Sequence, residues 1–172
     1  MENEFKSLLK LKGTLVVRVR DAVTQRVLRT VIKRNTITYD AGNIVRALLA
    51  QRAADPAASA YKFGSMRFGV GTTTPLRSDV DLEQEVTGVR KELTDVQKTN
   101  GGSGEITLTA TLQASEGNGY TYSEAGVFTL GSGSYNDNQG APLLMFSRQV
   151  HTPLQKTSSV TFNYSWTFQF TT

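Results

Sequence analysis

The C-terminal stretch limits what this chain can fold into more than any other. Val160, Phe162, Tyr164, Trp166, Phe168 and Phe170 alternate with Thr161, Asn163, Ser165, Thr167 and Gln169. A period of two marks a strand with one buried face. Burying a large aromatic stabilises a fold by roughly 2–3 kcal/mol, so such a face must meet a second sheet, a helix or another subunit.

The rest of the chain follows the same grammar. Ile106, Leu108, Ala110, Leu112 and Ala114 alternate with Glu105, Thr107, Thr109, Thr111 and Gln113, predicting a half-buried strand. Leu15, Val17 and Val19 alternate with Val16, Arg18 and Arg20 from Thr14 onward. A second strand is expected over 26–37, pairing with it as a hairpin. Further strands are expected from Met66 to Val70, over 87–97 (where Val89, Leu93 and Val96 also fit a helix face, but the surrounding β grammar favours a strand), over 120–130 and over 143–150, the last with both faces apolar. Asn100–Gly104 reads as a turn between antiparallel strands. Asp40 is placed to cap a helix over 41–52, with Ile44, Val45, Leu48 and Leu49 as its apolar stripe. The expected fold is mainly β: an antiparallel, jelly-roll-like β-sandwich with one short helix near residues 41–52. An arm over 1–12 precedes a single domain over 13–172. There is no tandem repeat or heptad run, so the chain alone does not read as a fibre shaft.

Composition narrows the chemistry. The 172 residues include no cysteine and one histidine, His151. Disulfides and thiolate metal sites are therefore excluded, and a histidine-based site has little to draw on. No apolar run approaches a membrane span, and the charged start MENEFKSLLKLKG reads as no signal peptide. The net charge of +4 is unevenly spread. Lys6, Lys10, Lys12, Arg18, Arg20, Arg26, Arg29, Lys33, Arg34, Arg46 and Arg52 crowd the first third, and acids dominate Asp79 to Glu85. A basic first third suits DNA or an acidic neighbouring subunit; a solvated strand face is the commoner reading, and DNA contact is the less favoured one.

Tests for specific chemistry mostly return loops. Gly69 and Gly71 lack the spacing and the following Lys-Ser/Thr of a phosphate cradle. Asp79, Asp81, Glu83 and Glu85 alternate without an EF-hand pattern, and a salt-bridged or solvated loop is preferred to a metal site. Ser123 or Ser147 with His151 offers no nucleophile elbow. Glu116 and Glu124 are available as a carboxylate pair, with nothing to single them out. No cofactor is read from the sequence.

Between Met66 and Val86 the chain reads MRFGVGTTTPLRSDVDLEQEV. It resembles a G-x-G-T-T-x-P-x-x-x-D-x-x-L-E-x-E segment of small virion proteins of tailed bacteriophages. YSEAGVFT, LLMFSRQVHTPLQKT and VTFNYSWTFQF fit the same resemblance, which covers roughly residues 35–170. In it, Glu124 is expected where a polar face meets a loop, Gly126 where backbone approaches closely, and Lys156 in a tie to a carboxylate that holds the loop after Pro153.

The resemblance implies a non-enzymatic structural protein of the virion, made in the host bacterial cytoplasm. Its partners would be copies of itself and other virion proteins, in a baseplate, collar or fibre attachment. The alternatives are a capsid decoration (cement) protein, a host-glycan-binding module and, last, a glycan hydrolase. The contact candidates are Phe5, Leu8 and Leu9 of the arm and the loops 53–62, 71–85 and 131–142. Asp79, Asp81, Glu83 and Glu85 are expected to face Arg18, Arg20 or Arg34 of a neighbouring copy. Tyr135, beside Asn136, Asp137 and Asn138, has the aromatic-plus-amide makeup of sugar sites.

Overall fold

Two five-stranded antiparallel sheets face each other in a computed structural model that describes residues 10–50, 62–93, 96–99, 104–131 and 143–171. The first sheet contains β1 (Lys10–Asp21), β2 (Val27–Arg34), β6 (Val96–Thr99), β7 (Glu105–Leu112) and β10 (Val160–Thr171), in the order β2-β1-β10-β7-β6. The second contains β3 (Thr36–Ile37), β4 (Phe63–Gly69), β5 (Glu85–Glu92), β8 (Thr121–Thr129) and β9 (Met145–Gln155), in the order β3-β9-β8-β4-β5. One helix, α1 (Tyr39–Ala50), follows β3. The expected β-sandwich with one short helix is the observed architecture.

The aromatic face of β10 finds its cover in the second sheet. β10 is the central strand of its sheet, and Phe162, Tyr164, Trp166 and Phe168 are fully buried. Tyr164 packs on Phe68 of β4 with ring centroids 4.6 Å apart, Phe168 on Phe146 of β9 at 4.9 Å, and Phe162 on Tyr122 of β8 at 6.2 Å. These contacts between sheets, with Leu15, Val17, Leu108 and Leu112 beside them, form one continuous core.

Several boundaries differ from those the sequence predicts. β1 starts at Lys10, so residues 10–12 of the expected arm belong to the first sheet, paired with β10. The strand expected over 26–37 is two strands in different sheets. The chain crosses over at Asn35, whose N–H donates to the Gly13 carbonyl at 3.1 Å and whose side-chain amide donates to Ser147 Oγ on β9. Gly13 makes room for this crossing: a Cβ there would lie 1.8 Å from Asn35 Oδ1.

The strand expected over 87–97 also divides, into β5 and β6 in opposite sheets. Between them the buried Leu93 donates its N–H to the Gly64 carbonyl at 2.8 Å. β6 and β7 pair antiparallel, Val96 opposite Leu108 and Thr99 opposite Glu105, the strand pairing expected on either side of the Gly-rich stretch. The strand expected over 143–150 runs on to Gln155. Pro153 is tolerated there because β3 pairs with β9 only at Ser147 and Arg148, so no β3 partner needs its missing N–H.

The helix begins two residues before the predicted start. Asp40 therefore lies in its first turn, where a carboxylate favours the helix dipole, rather than at the cap. Ala41 and Ile44 are buried and Val45 half-buried; the side chains of Arg46, Leu48 and Leu49 lie outside the described residues. No helix among the described residues is long and apolar enough to cross a membrane.

Candidate interaction site on the outer face of the second sheet

The 70–84 segment connects β4 to β5 and folds over the outer face of the second sheet. Leu82 enters a small second core with Phe128, Met145 and the half-buried Leu143. Gly126 is required here, since a Cβ on it would lie 2.9 Å from both the Leu82 and Phe128 side chains. The closest approach at Gly126 is made by the side chains of Leu82 and Phe128, not by backbone as expected.

Beside this core lies a buried charge cluster. Glu124 of β8 has no solvent exposure, and Arg148 of β9 has almost none. Arg148 Nε donates to Glu124 Oε2 at 2.9 Å and its Nη1 to Asp79 Oδ2 at 2.7 Å; Nη2 lies 3.5 Å from Glu83 Oε2. Three carboxylates around one guanidinium would repel one another, but backbone donors supply the missing positive ends. Glu124 accepts N–H bonds from Gly71 at 3.1 Å, Glu83 at 3.1 Å and Gln84 at 2.8 Å. Glu83 accepts from the N–H groups of Thr72 and Thr73, each at 2.7 Å, and from the Thr73 hydroxyl at 2.9 Å. Asp79 accepts from Leu76 N–H at 2.9 Å. Ser123 adds a bond from its hydroxyl to the Gly71 carbonyl at 2.8 Å.

The electrostatics follow from these contacts. Burial works against the Arg148 charge, yet the Asp79 and Glu124 carboxylates outweigh it and hold the guanidinium above its ordinary pKa. The Thr73 N–H and hydroxyl pull the Glu83 carboxyl below its ordinary value. Gly69 and Gly71 are glycine for want of space: a Cβ would lie 2.3 Å and 2.5 Å from Glu124 Oε1, respectively. The apparent phosphate-cradle glycines are the walls of a carboxylate pocket.

The cluster anchors a segment whose other side faces solvent. Leu76 is 58% exposed and Val80 71%, and Tyr39, which meets Arg77, is 61% exposed. Tyr39 N–H donates to the Arg77 carbonyl at 2.7 Å, and the Arg77 guanidinium lies 5.0 Å from the Tyr39 ring centroid. The outcome is a firmly held loop carrying apolar side chains in water, a surface suited to contact with another protein.

The structure places the sequence-predicted residues as follows. Asp79 and Glu83 are engaged within their own molecule; Asp81 is exposed, its Oδ1 accepting only from the adjacent Leu82 N–H at 2.8 Å. Glu85 pairs with Arg67 at 3.2 Å. Arg18 and Arg34 lie on β1 and β2 of the other sheet, and Arg20 Nη1 donates to the Gln25 carbonyl at 2.9 Å. Phe5, Leu8, Leu9 and Tyr135, with the loops 53–62 and 131–142 apart from Lys62 and Gly131, lie outside the described residues.

The nominated catalytic pairs are not brought together. Ser147 Oγ donates to the Thr36 carbonyl at 2.7 Å, Ser123 is bonded to Gly71, and His151 Nδ1 meets the Thr152 carbonyl at 2.9 Å. Glu116 pairs with Lys91 and accepts the Gln113 N–H at 2.7 Å, while Glu124 is in the cluster. The expected carboxylate tie of Lys156 is not found among the described residues: its ammonium donates to Asn118 Oδ1 and the Thr157 carbonyl, each at 3.0 Å. It ties the 114–118 turn to the start of the last strand. Among the described residues, no group of three or more His, Cys, Asp or Glu is placed to hold a metal ion.

The sequence reading missed Arg148 as the partner of Glu124. The available signal was a charged residue inside the apolar run LLMFSRQV, since a cation on a strand buried on both faces needs a carboxylate opposite. Compared with known proteins, the chain matches no family model, no curated protein and no solved structure.

Proposed function

We propose that the chain is a non-enzymatic structural subunit of a tailed-phage virion. It assembles as repeated copies on the tail side, at a baseplate, collar or fibre attachment. The observation that carries this reading is the convergence of the resembling segments on one device. Gly69 and Gly71, Asp79 and Glu83, Glu124, and Arg148 come from three separate stretches of the resemblance, and all meet in the buried cluster. The device holds Leu76 and Val80 outward. Assembly needs that kind of surface: apolar, exposed and already rigid, so little ordering entropy is lost on contact. Repeated copies would close by rotational symmetry.

Immunogold electron microscopy of intact particles, with an antibody to this chain, tests the reading. Gold at the tail or neck supports it. Gold spread over the head replaces the tail placement with a capsid decoration role. Particles without gold overturn the virion reading.

A further inference from the structure

We propose that the free edge of β2 receives an extended acidic segment of a partner protein as an added strand. This inference rests on the strand edge itself and holds whether or not the chain belongs to a virion.

Among the described residues, β2 is the end strand of the first sheet and bonds only to β1. Seven of its eight residues are exposed, Val31 being the buried one. Among the described residues its other edge therefore offers unpaired backbone donors and acceptors. The remaining sheet edges are less open. β3 has two residues and β6 four. β5 is interrupted by Gly88 at φ 81°, and its Lys91 and Arg90 are paired with Glu116 and Glu92.

The side chains of β2 specify the occupant. Arg29 and Lys33 lie on one face, opposite Val19 and Leu15 of β1, while Thr30, Ile32 and Arg34 lie on the other. Ile32 is 64% exposed and Leu28 49%. Arg29, Lys33 and Arg34 form no ion pair among the described residues, and Arg18 adds a further cation on β1. The adjacent carboxylate, Asp21, is occupied by its own turn, accepting from Val23 N–H and from the Thr24 N–H and hydroxyl.

Pairing of two β2 strands from two copies is disfavoured at this edge, because side by side they would bring like charges together. The acids of the 79–85 segment are also withdrawn, apart from Asp81, into their own molecule. Nucleic acid would satisfy the cations but would make no use of Ile32 or of the strand hydrogen bonds. An extended polypeptide uses all three features: its backbone completes the ladder, acids meet Arg29 and Lys33, and apolar residues cover Ile32.

Fluorescence anisotropy with a labelled nine-residue peptide of alternating Glu and Val tests this on the full chain. Saturable binding is expected. It should weaken at least tenfold when alternate peptide amides are N-methylated, and at least tenfold in Arg29→Glu/Lys33→Glu, whose melting temperature should stay within a few degrees of the parent because both side chains are exposed. Absence of binding overturns the proposal. So does equal binding of the N-methylated peptide, or tighter binding of single-stranded DNA of equal charge, because either outcome makes the surface a general polyanion site. If the double variant fails to fold, the N-methylated peptide decides alone.

Discussion

Glu124 sits without solvent because five contacts to its oxygens replace the water it loses: three backbone N–H groups and two atoms of Arg148. Removing one partner of such a pair leaves an uncompensated buried charge, which typically costs about 3–5 kcal/mol. Glu124→Gln and Arg148→Met are each expected to lower stability by an amount of that order in urea titration, and the double variant by clearly less than their sum. Additive losses would mean that the two side chains act independently. A second residue sets a pH response. His151 is buried against Tyr164, and burial pushes its pKa below the ordinary 6.5, with Lys33 acting in the same direction and Glu124 opposing. The unfolded chain then binds the proton more readily, so the His151 contribution is complete above pH 6.5 and is lost as pH falls below it. Stability curves of parent and His151→Phe are expected to differ in slope below pH 6.5 and to run parallel above it.

Strands that alternate cleanly were legible in the sequence. β7 and β10 match their expected ranges closely because a half-buried strand writes its geometry into a period of two. The two misread segments share a cause: each apolar pattern continues across a crossover between sheets. At Asn35 the change of sheet depends on Gly13 and Ser147, each remote from the crossing in sequence or on another strand; at Leu93 it depends on Gly64. Such a partner cannot be read locally. The charge cluster was half legible for the same reason. Its glycines and acids stand out in one stretch, but Arg148 lies 24 residues beyond Glu124. At this scale the aromatic face of β10 is expected to dominate stability. Trp166→Ala removes a fully buried ring from the central strand, with a cost of about 3–5 kcal/mol expected by chemical denaturation. Ile32→Thr on the exposed edge strand should shift stability by less than about 0.5 kcal/mol.

The molecule presents two unlike surfaces on opposite sheets. On the second, the charge cluster and the Leu82–Phe128–Met145 core fix a loop that exposes Leu76 and Val80. On the first, β2 offers a basic edge. Two such surfaces would fit the assembly proposed above, one for a copy of the chain and one for a different neighbour. The central claim is that the loop is held rigid in order to be bound. Leu76→Asp/Val80→Asp tests it most directly, because both side chains are exposed and neither belongs to the cluster. For the proposed virion role, the measurement is the amount of this chain in purified particles grown with only the variant, read against the melting temperature of the isolated protein. The account predicts an unchanged melting temperature and particles depleted of the chain at least tenfold. Particles carrying the variant at the parental level would contradict it.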